Sequence, residues 1–180
     1  MPDRIAYSRM VLVPIILALV LVDGRIEHSY GLAAALVVAA GATDFLDGYL
    51  ARRWRIASDL GAFLDSLADK LLVAAALVGL VEVGRAWAWA AFVIVGREIA
   101  VTALRAIAAL DGIKVPASFW GKLKANVQFL AIFLALLRTP DTYGGLFPDE
   151  WAMLAAVTIT VLSGADYFVG FARVLRARTG

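Results

Sequence analysis

Apolar residues run through this chain in six long stretches, at about 5–22, 31–53, 59–82, 86–109, 119–138 and 150–174. Each comes close to the roughly 20 residues a helix needs to cross the hydrocarbon of a bilayer. The breaks between them are short. They carry turn-forming residues such as Asp23-Gly24, Gly84-Arg85 and the Gly- and Pro-rich segment from Thr139 to Pro148. The pattern predicts an all-α membrane protein, a bundle of six transmembrane helices forming a single domain over residues 1–180. The first stretch follows Arg4 and Arg9 in the manner of a signal peptide, but Val22-Asp23-Gly24-Arg25 is a poor cleavage site, so it counts as the first span.

Composition agrees with this reading. The chain is 62% hydrophobic, with a mean hydropathy of +0.83, well beyond an ordinary soluble domain. It has no cysteine, which excludes disulfides, thiolate metal sites and cysteine nucleophiles, and leaves oxygen ligands or His28 for any metal. His28 falls in a connection remote from the acidic residues and is assigned no role.

The charges sort by end. Arg4, Arg9, Arg52, Arg53, Arg55, Arg105, Lys114, Lys122, Lys124, Arg173, Arg176 and Arg178 fall on one set of ends, whereas Arg25, Arg85 and Arg138 share the other set with Asp23, Glu27, Glu82, Asp141, Asp149 and Glu150. The positive-inside rule then puts both N- and C-termini in the cytoplasm. Trp87, Trp89 and Trp151 suit an outer aromatic belt, and Trp54 and Trp120 an inner one. Basic residues arranged this way point to lipid headgroups, with Arg173, Arg176 and Arg178 as surface anchors, and not to nucleic acid.

Four carboxylates interrupt the apolar pattern within one segment. Asp44 and Asp47 are three residues apart, and Asp65 and Asp69 four apart, so each pair shares one face of its helix. A turn around Arg55 to Ser58 makes the two spans antiparallel neighbours, with both pairs at similar depth near the cytoplasmic end. Ionised groups inside a bilayer are expensive and mark functional sites. Converging acids relieve their repulsion by protonation or by binding a divalent cation, and oxygen-only ligation favours Mg²⁺ or Mn²⁺. Two such ions suit displacement at phosphorus. Gly48, Ala51 and Gly61 permit close packing or the approach of a bulky group, and Arg52 is placed to meet a phosphate oxygen. Two other readings exist: interhelical ion pairs with Arg52, Arg53 or Arg55, and a cation or proton transporter. The transporter fares poorly, because no polar trail continues into the outer half of these spans and no internal repeat is visible.

The segment Asp44-x2-Asp47-Gly48-x2-Ala51-Arg52-x8-Gly61-x3-Asp65-x3-Asp69 resembles, position for position, the signature of the CDP-alcohol phosphotransferase family. The resemblance implies a six-span enzyme, usually a homodimer, that moves a phosphatidyl group from a CDP-linked lipid to an alcohol and releases CMP. It further implies that Asp44, Asp47, Asp65 and Asp69 hold two Mg²⁺ or Mn²⁺ ions. Asp47, Gly48, Ala51, Arg52, Gly61 and Asp65 would contact CDP-diacylglycerol, and Asp69 would serve as general base.

Within the family, Gly96-Arg97-Glu98-Ile99, Thr102-Ala103-Leu104-Arg105, Gly121-Lys122-Leu123-Lys124, Gln128 and Asp166-Tyr167-Phe168 resemble phosphatidylglycerophosphate synthases. That likeness implies glycerol 3-phosphate as acceptor, with inositol phosphate or another alcohol as the alternative. Arg97 and Arg105 lie roughly on one helical face, and Lys122 and Lys124 open the next span from the same side, so a phosphorylated acceptor would meet cations there. Competing roles are a salt bridge from Arg97 to Asp166 and membrane anchoring by the lysines. Glu98 is expected to point away from Arg97 and to be structural. Near the N-terminus, Pro2 and Arg9 keep the family's pattern while Asp3 and Ala6 replace its Asn and Thr; Arg9 remains a phosphate-ligand candidate. The expected location is a bacterial inner membrane, with the active site facing the cytoplasm.

Overall fold

The computed structural model describes the backbone of residues 2–22, 26, 28–54, 59–110 and 119–179. The side chains of residues 2–9, 44–54, 59–65, 119, 122 and 174–179 lie outside the described set. Six helices follow in order: α1 (Pro2–Leu21), α2 (Ser29–Trp54), α3 (Asp59–Glu82), α4 (Ala88–Leu110), α5 (Phe119–Leu137) and α6 (Pro148–Thr179). Their ends fall within a few residues of the apolar stretches, except that α6 runs on through the basic tail. Among the described residues there is no strand, only an isolated bridge between Tyr143 and Leu146. One described helical segment, Pro148–Arg173, is long and apolar enough to cross a membrane by length and composition. The remaining apolar segments, Met10–Leu21, Ser29–Thr43 and Leu123–Leu137, are shorter. Asp69 and Lys70 interrupt α3, and Arg97, Glu98 and Arg105 interrupt α4.

The helices pack as two four-membered rings that share an edge. In one ring α1 contacts α2 and α3, and both of these contact α5. In the other, α3 contacts α4 and α5, and α6 closes against α4 and α5. Among the described residues α2 and α3 make little direct contact. There α1 and α5 each touch both and join them, while the signature ends of α2 and α3, where the two are expected to be neighbours, have side chains outside the described residues.

Small residues set the contacts. Ala33, Ala34, Ala40, Ala68, Ala76, Ala90, Ala131, Ala135 and Ala156 are buried, with Leu72, Leu77, Leu80, Ile94 and Ile132 filling between them. The tightest crossing is α1 on α3. A Cβ added at Gly79 would lie 3.0 Å from Val20 Cγ1 and 3.2 Å from Leu17 Cδ1. Gly79→Val is therefore expected to cost about 1–3 kcal/mol through overpacking, read as earlier unfolding of the purified protein; unchanged stability would show that α1 and α3 do not cross here.

Turn chemistry ends the helices at one end of the bundle. Gly84, at φ 68°, takes the left-handed position after α3, and Arg85 N–H donates to Leu80 O at 2.7 Å. At the start of α6, Pro148 occupies the first turn and Phe147 N–H donates to Glu150 Oε2 at 2.9 Å. Two arginines then tie the turns together. Arg85 Nη1 donates to Leu136 O at 2.8 Å, satisfying a carbonyl at the end of α5, and its guanidinium lies 3.7 Å from the Tyr30 ring centre. Arg138 donates from Nη2 and Nε to Asp149 Oδ2, at 2.7 and 3.1 Å, and from Nη2 to Arg85 O at 3.3 Å.

Trp87 and Trp89 stack at 5.7 Å nearby, and the exposed Trp151 donates its Nε1–H to Tyr143 O at 2.8 Å.

Candidate active site

Helical spacing builds a polar cavity of about 190 Å³ on the edge shared by the two rings. Ser66, Asp69, Lys70 and Val73 fall at i, i+3, i+4 and i+7 on α3, and so turn one face toward it. Lys124, Ala125, Gln128 and Phe129 do the same from α5, and Glu98 enters from α4. The opposite side of α3, with Ala68, Leu72, Ala76 and Leu80, is buried in the core, which fixes the helix's rotation.

Charge is organised within this wall. Lys124, buried, donates its Nζ–H to Glu98 Oε1, joining α5 to α4. The same carboxylate oxygen lies 3.4 Å from Arg97 Nη1, and Arg97 Nη2 donates to Ser163 Oγ of α6 at 2.7 Å. Gln128 Nε2 donates to Thr160 Oγ1 at 2.8 Å, both residues being buried. A polar layer thus crosses α4, α5 and α6 at the level of the cavity. Lys70 Nζ donates to Ser66 O at 2.8 Å and to Ser66 Oγ, one turn back on its own helix.

The sequence-derived candidates divide into three groups. Asp69 and Lys124 come together in the cavity wall. Arg97 and Arg105 do not line it: Arg97 reaches Glu98 and Ser163 through Nη1 and Nη2 while its buried Nε has no partner among the described residues, and Arg105 lies 5.8 Å over the ring of buried Tyr167. The third group is Arg9 on α1, Asp44, Asp47, Gly48, Ala51 and Arg52 on α2, Gly61 and Asp65 on α3, and Lys122 on α5. Their backbones are helical and their side chains lie outside the described residues.

Two expectations are corrected. Glu98 does not stand apart from the cationic residues but is the carboxylate on which Lys124 and Arg97 converge, because α5 packs where a reading of α4 alone sees nothing. The ion-pair partner of Arg97 is Glu98 and not Asp166, which is exposed.

A second cavity, about 340 Å³, lies between α2 and α5. Val37, Val38 and Gly41 line it on one side and Phe129 and Phe133 on the other, and it shares Ala125 and Phe129 with the polar cavity.

A polar cavity holding one aspartate of a signature, with an apolar cleft against it, narrows the choice of family. The profile described as CDP-alcohol phosphatidyltransferase matches residues 1–162. The chain belongs to the CDP-alcohol phosphatidyltransferase family. Among its relatives, a CDP-diacylglycerol–glycerol-3-phosphate 3-phosphatidyltransferase of Bacillus subtilis is 40% identical over 93% of both chains. An enzyme of the same name from Pseudomonas fluorescens is 43% identical over 91% of this chain and 82% of its own. A probable phosphatidylglycerophosphate synthase of Mycobacterium tuberculosis is 40% identical over 93% of this chain and 78% of its own.

For a CDP-alcohol phosphatidyltransferase, the polar wall residues that the sequence reading does not single out are Ser66 and Lys70. One signal was available: a lysine directly after the last signature aspartate, inside an otherwise apolar stretch.

Proposed function

We propose that the chain transfers the phosphatidyl group of CDP-diacylglycerol to sn-glycerol 3-phosphate, forming phosphatidylglycerol phosphate and CMP. The observation that carries this is the cavity wall, in which Asp69 stands beside lysine side chains, a carboxylate base next to cationic ground for a phosphorylated alcohol. The relatives bearing that activity in their names support the acceptor. The neighbouring apolar cleft suits an acyl chain of the lipid donor.

In this reading the Asp69 carboxylate takes the proton from the C1 hydroxyl of glycerol 3-phosphate. The freed oxygen forms a bond to the β-phosphorus of CDP-diacylglycerol, the bond from that phosphorus to the bridging oxygen breaks, and CMP leaves with the electron pair. No covalent enzyme intermediate is needed. Lys124, held by Glu98, shapes the wall, and Gln128 and Thr160 lock α5 to α6 behind it.

Divalent cations fit the donor set. Asp44 and Asp47 on α2, and Asp65 and Asp69 on α3, offer only hard oxygen ligands, and each pair sits at same-face spacing on an unbroken helix. Among the described residues, which include only Asp69 of the four side chains, no group of three metal-ligating side chains converges. Asp44, Asp47, Asp65 and Asp69 would hold two Mg²⁺ or Mn²⁺ ions. When bound, such ions neutralise charge on the pyrophosphate and on the departing CMP.

The same proposal includes the setting: six helices crossing a bacterial inner membrane, both termini and the active site on the cytoplasmic side, and a homodimer. The one-sided distribution of basic residues supports the orientation. Large apolar side chains facing outward, among them Phe92, Ile99 and Leu110, support the lipid contact.

The acceptor is tested by giving the purified enzyme CDP-diacylglycerol, Mn²⁺ and labelled glycerol 3-phosphate, inositol phosphate or serine. Label is expected in lipid only from glycerol 3-phosphate, with matching CMP release. Incorporation of inositol phosphate but not glycerol 3-phosphate would overturn the acceptor.

A further inference from the structure

Two lysines face the cavity, and their surroundings differ. Lys124 comes from α5, is buried, and is paired with the Glu98 carboxylate. A phosphate would have to compete with that partner for the same ammonium. Lys70 comes from α3 and is half-buried, and among the described residues no carboxylate closes onto it. Its hydrogen bonds run to the carbonyl and hydroxyl oxygens of Ser66, both neutral and both on its own helix. An ammonium group has three donors, so one is left to point into the cavity. Asp69 and Glu98 share the cavity without closing a direct pair onto Lys70 among the described residues, so an anionic ligand can still reach the ammonium.

The position of Lys70 along α3 adds a geometric argument. It directly follows Asp69, and both residues line the same cavity. A carboxylate and an ammonium from one turn of α3 therefore enter a single cavity. Glycerol 3-phosphate carries its C1 hydroxyl and its phosphate at the two ends of a three-carbon chain. The cavity's 190 Å³ falls below the roughly 300–1,000 Å³ that house drug-sized ligands, which suits a small acyclic polar molecule.

We infer that Lys70 binds the phosphate of the acceptor and aligns its hydroxyl with Asp69, while Lys124 is a strut between α5 and α4. This deepens the function proposed above and rests on it. The shared chemistry is a phosphate group, which either substrate could supply: the phosphate monoester of the acceptor or the pyrophosphate of the lipid donor.

The test is a kinetic comparison of full-length wild type, Lys70→Met and Lys70→Arg, with each substrate varied in turn. Lys70→Met is expected to raise KM for glycerol 3-phosphate by about 10- to 100-fold, the range for loss of one charge-assisted hydrogen bond. KM for CDP-diacylglycerol should stay within about twofold, and Lys70→Arg should recover part of the loss. An unchanged KM for glycerol 3-phosphate, or a rise confined to CDP-diacylglycerol or shared equally by both, overturns the assignment. Failure of the wild type to use glycerol 3-phosphate would instead refute the acceptor, and Lys70's role with it.

A second measurement does not depend on the folding of a variant. The wild-type enzyme is treated with an amine-acylating reagent and labelling at Lys70 is read by mass spectrometry. Glycerol 3-phosphate is expected to protect Lys70 and glycerol to leave it reactive. Equal labelling in both overturns the proposal.

Discussion

Asp69→Asn is expected to lower kcat by about 10²–10⁴-fold, the usual worth of general-base help, while CDP-diacylglycerol still binds. The side chain lies in the cavity wall one residue before Lys70 and across from Glu98 and Lys124. The amide keeps the size of the carboxylate and one acceptor oxygen but cannot take up the hydroxyl's proton. Steady-state kinetics at saturating donor, together with a direct binding measurement, separate the two effects. Asp47→Asn gives the contrast, since it should weaken metal-dependent binding of the nucleotide-lipid as well. Full activity in folded Asp69→Asn would remove Asp69 from the role of base.

The largest expected effect on stability lies at the other end of the bundle. Asp149 is 2% exposed and takes two hydrogen bonds from Arg138, which also reaches the backbone of Arg85. Asp149→Ala leaves the partly exposed Arg138 with Glu150, 3.8 Å away, as its remaining carboxylate and is expected to cost about 3 kcal/mol, the low end for breaking a buried pair by removing one member. It also removes an acid from the first turn of α6, where the helix dipole favours one. Asp149→Asn keeps an acceptor and should cost less. The check is equilibrium or thermal unfolding of the purified protein, accompanied by kcat per folded molecule. Arg138 lies ten residues beyond Gln128 in sequence, most of that distance along α5, or roughly 15 Å at helical rise, so kcat should be unchanged. A matching loss of kcat would mean that the two ends are coupled.

The six helices were legible because long apolar runs are broken by Gly, Pro and charge, and those breaks act locally. The family was legible for a similar reason, since eight fixed positions lie within one segment from Asp44 to Asp69. The cavity wall was read only in part. Glu98 was expected to point away from Arg97 because neighbouring helical residues diverge, but its position is set by Lys124, twenty-six residues on, and the rotation of α5 against α4 is not written in either helix alone. The misassigned partner of Arg97 has the same origin. Ser163 is the residue of α6 that faces it, and Asp166, less than a turn further, is exposed. Lys70 was passed over because it is a lone cation at the edge of a signature written in acids. Only the arrangement of three helices around a common cavity distinguishes it from an anchor.

The alanine-lined contacts have a consequence for how this bundle recognises itself. In the bilayer setting proposed above, lipid tails are as apolar as any side chain, so hydrophobicity gives the helices no reason to prefer one another. What brings the helices close at their seams is girth. Narrow residues such as Ala33, Ala68, Ala76, Ala90 and Ala135 occupy the seams, and wide ones such as Phe92 and Leu110 face outward, 78% and 88% exposed. Exchanging a seam alanine for an outward-facing leucine would leave a hydropathy profile almost untouched and still prise the helices apart. The fold is encoded as a contour, and variation in this chain is better judged by the volume each position admits than by its affinity for oil.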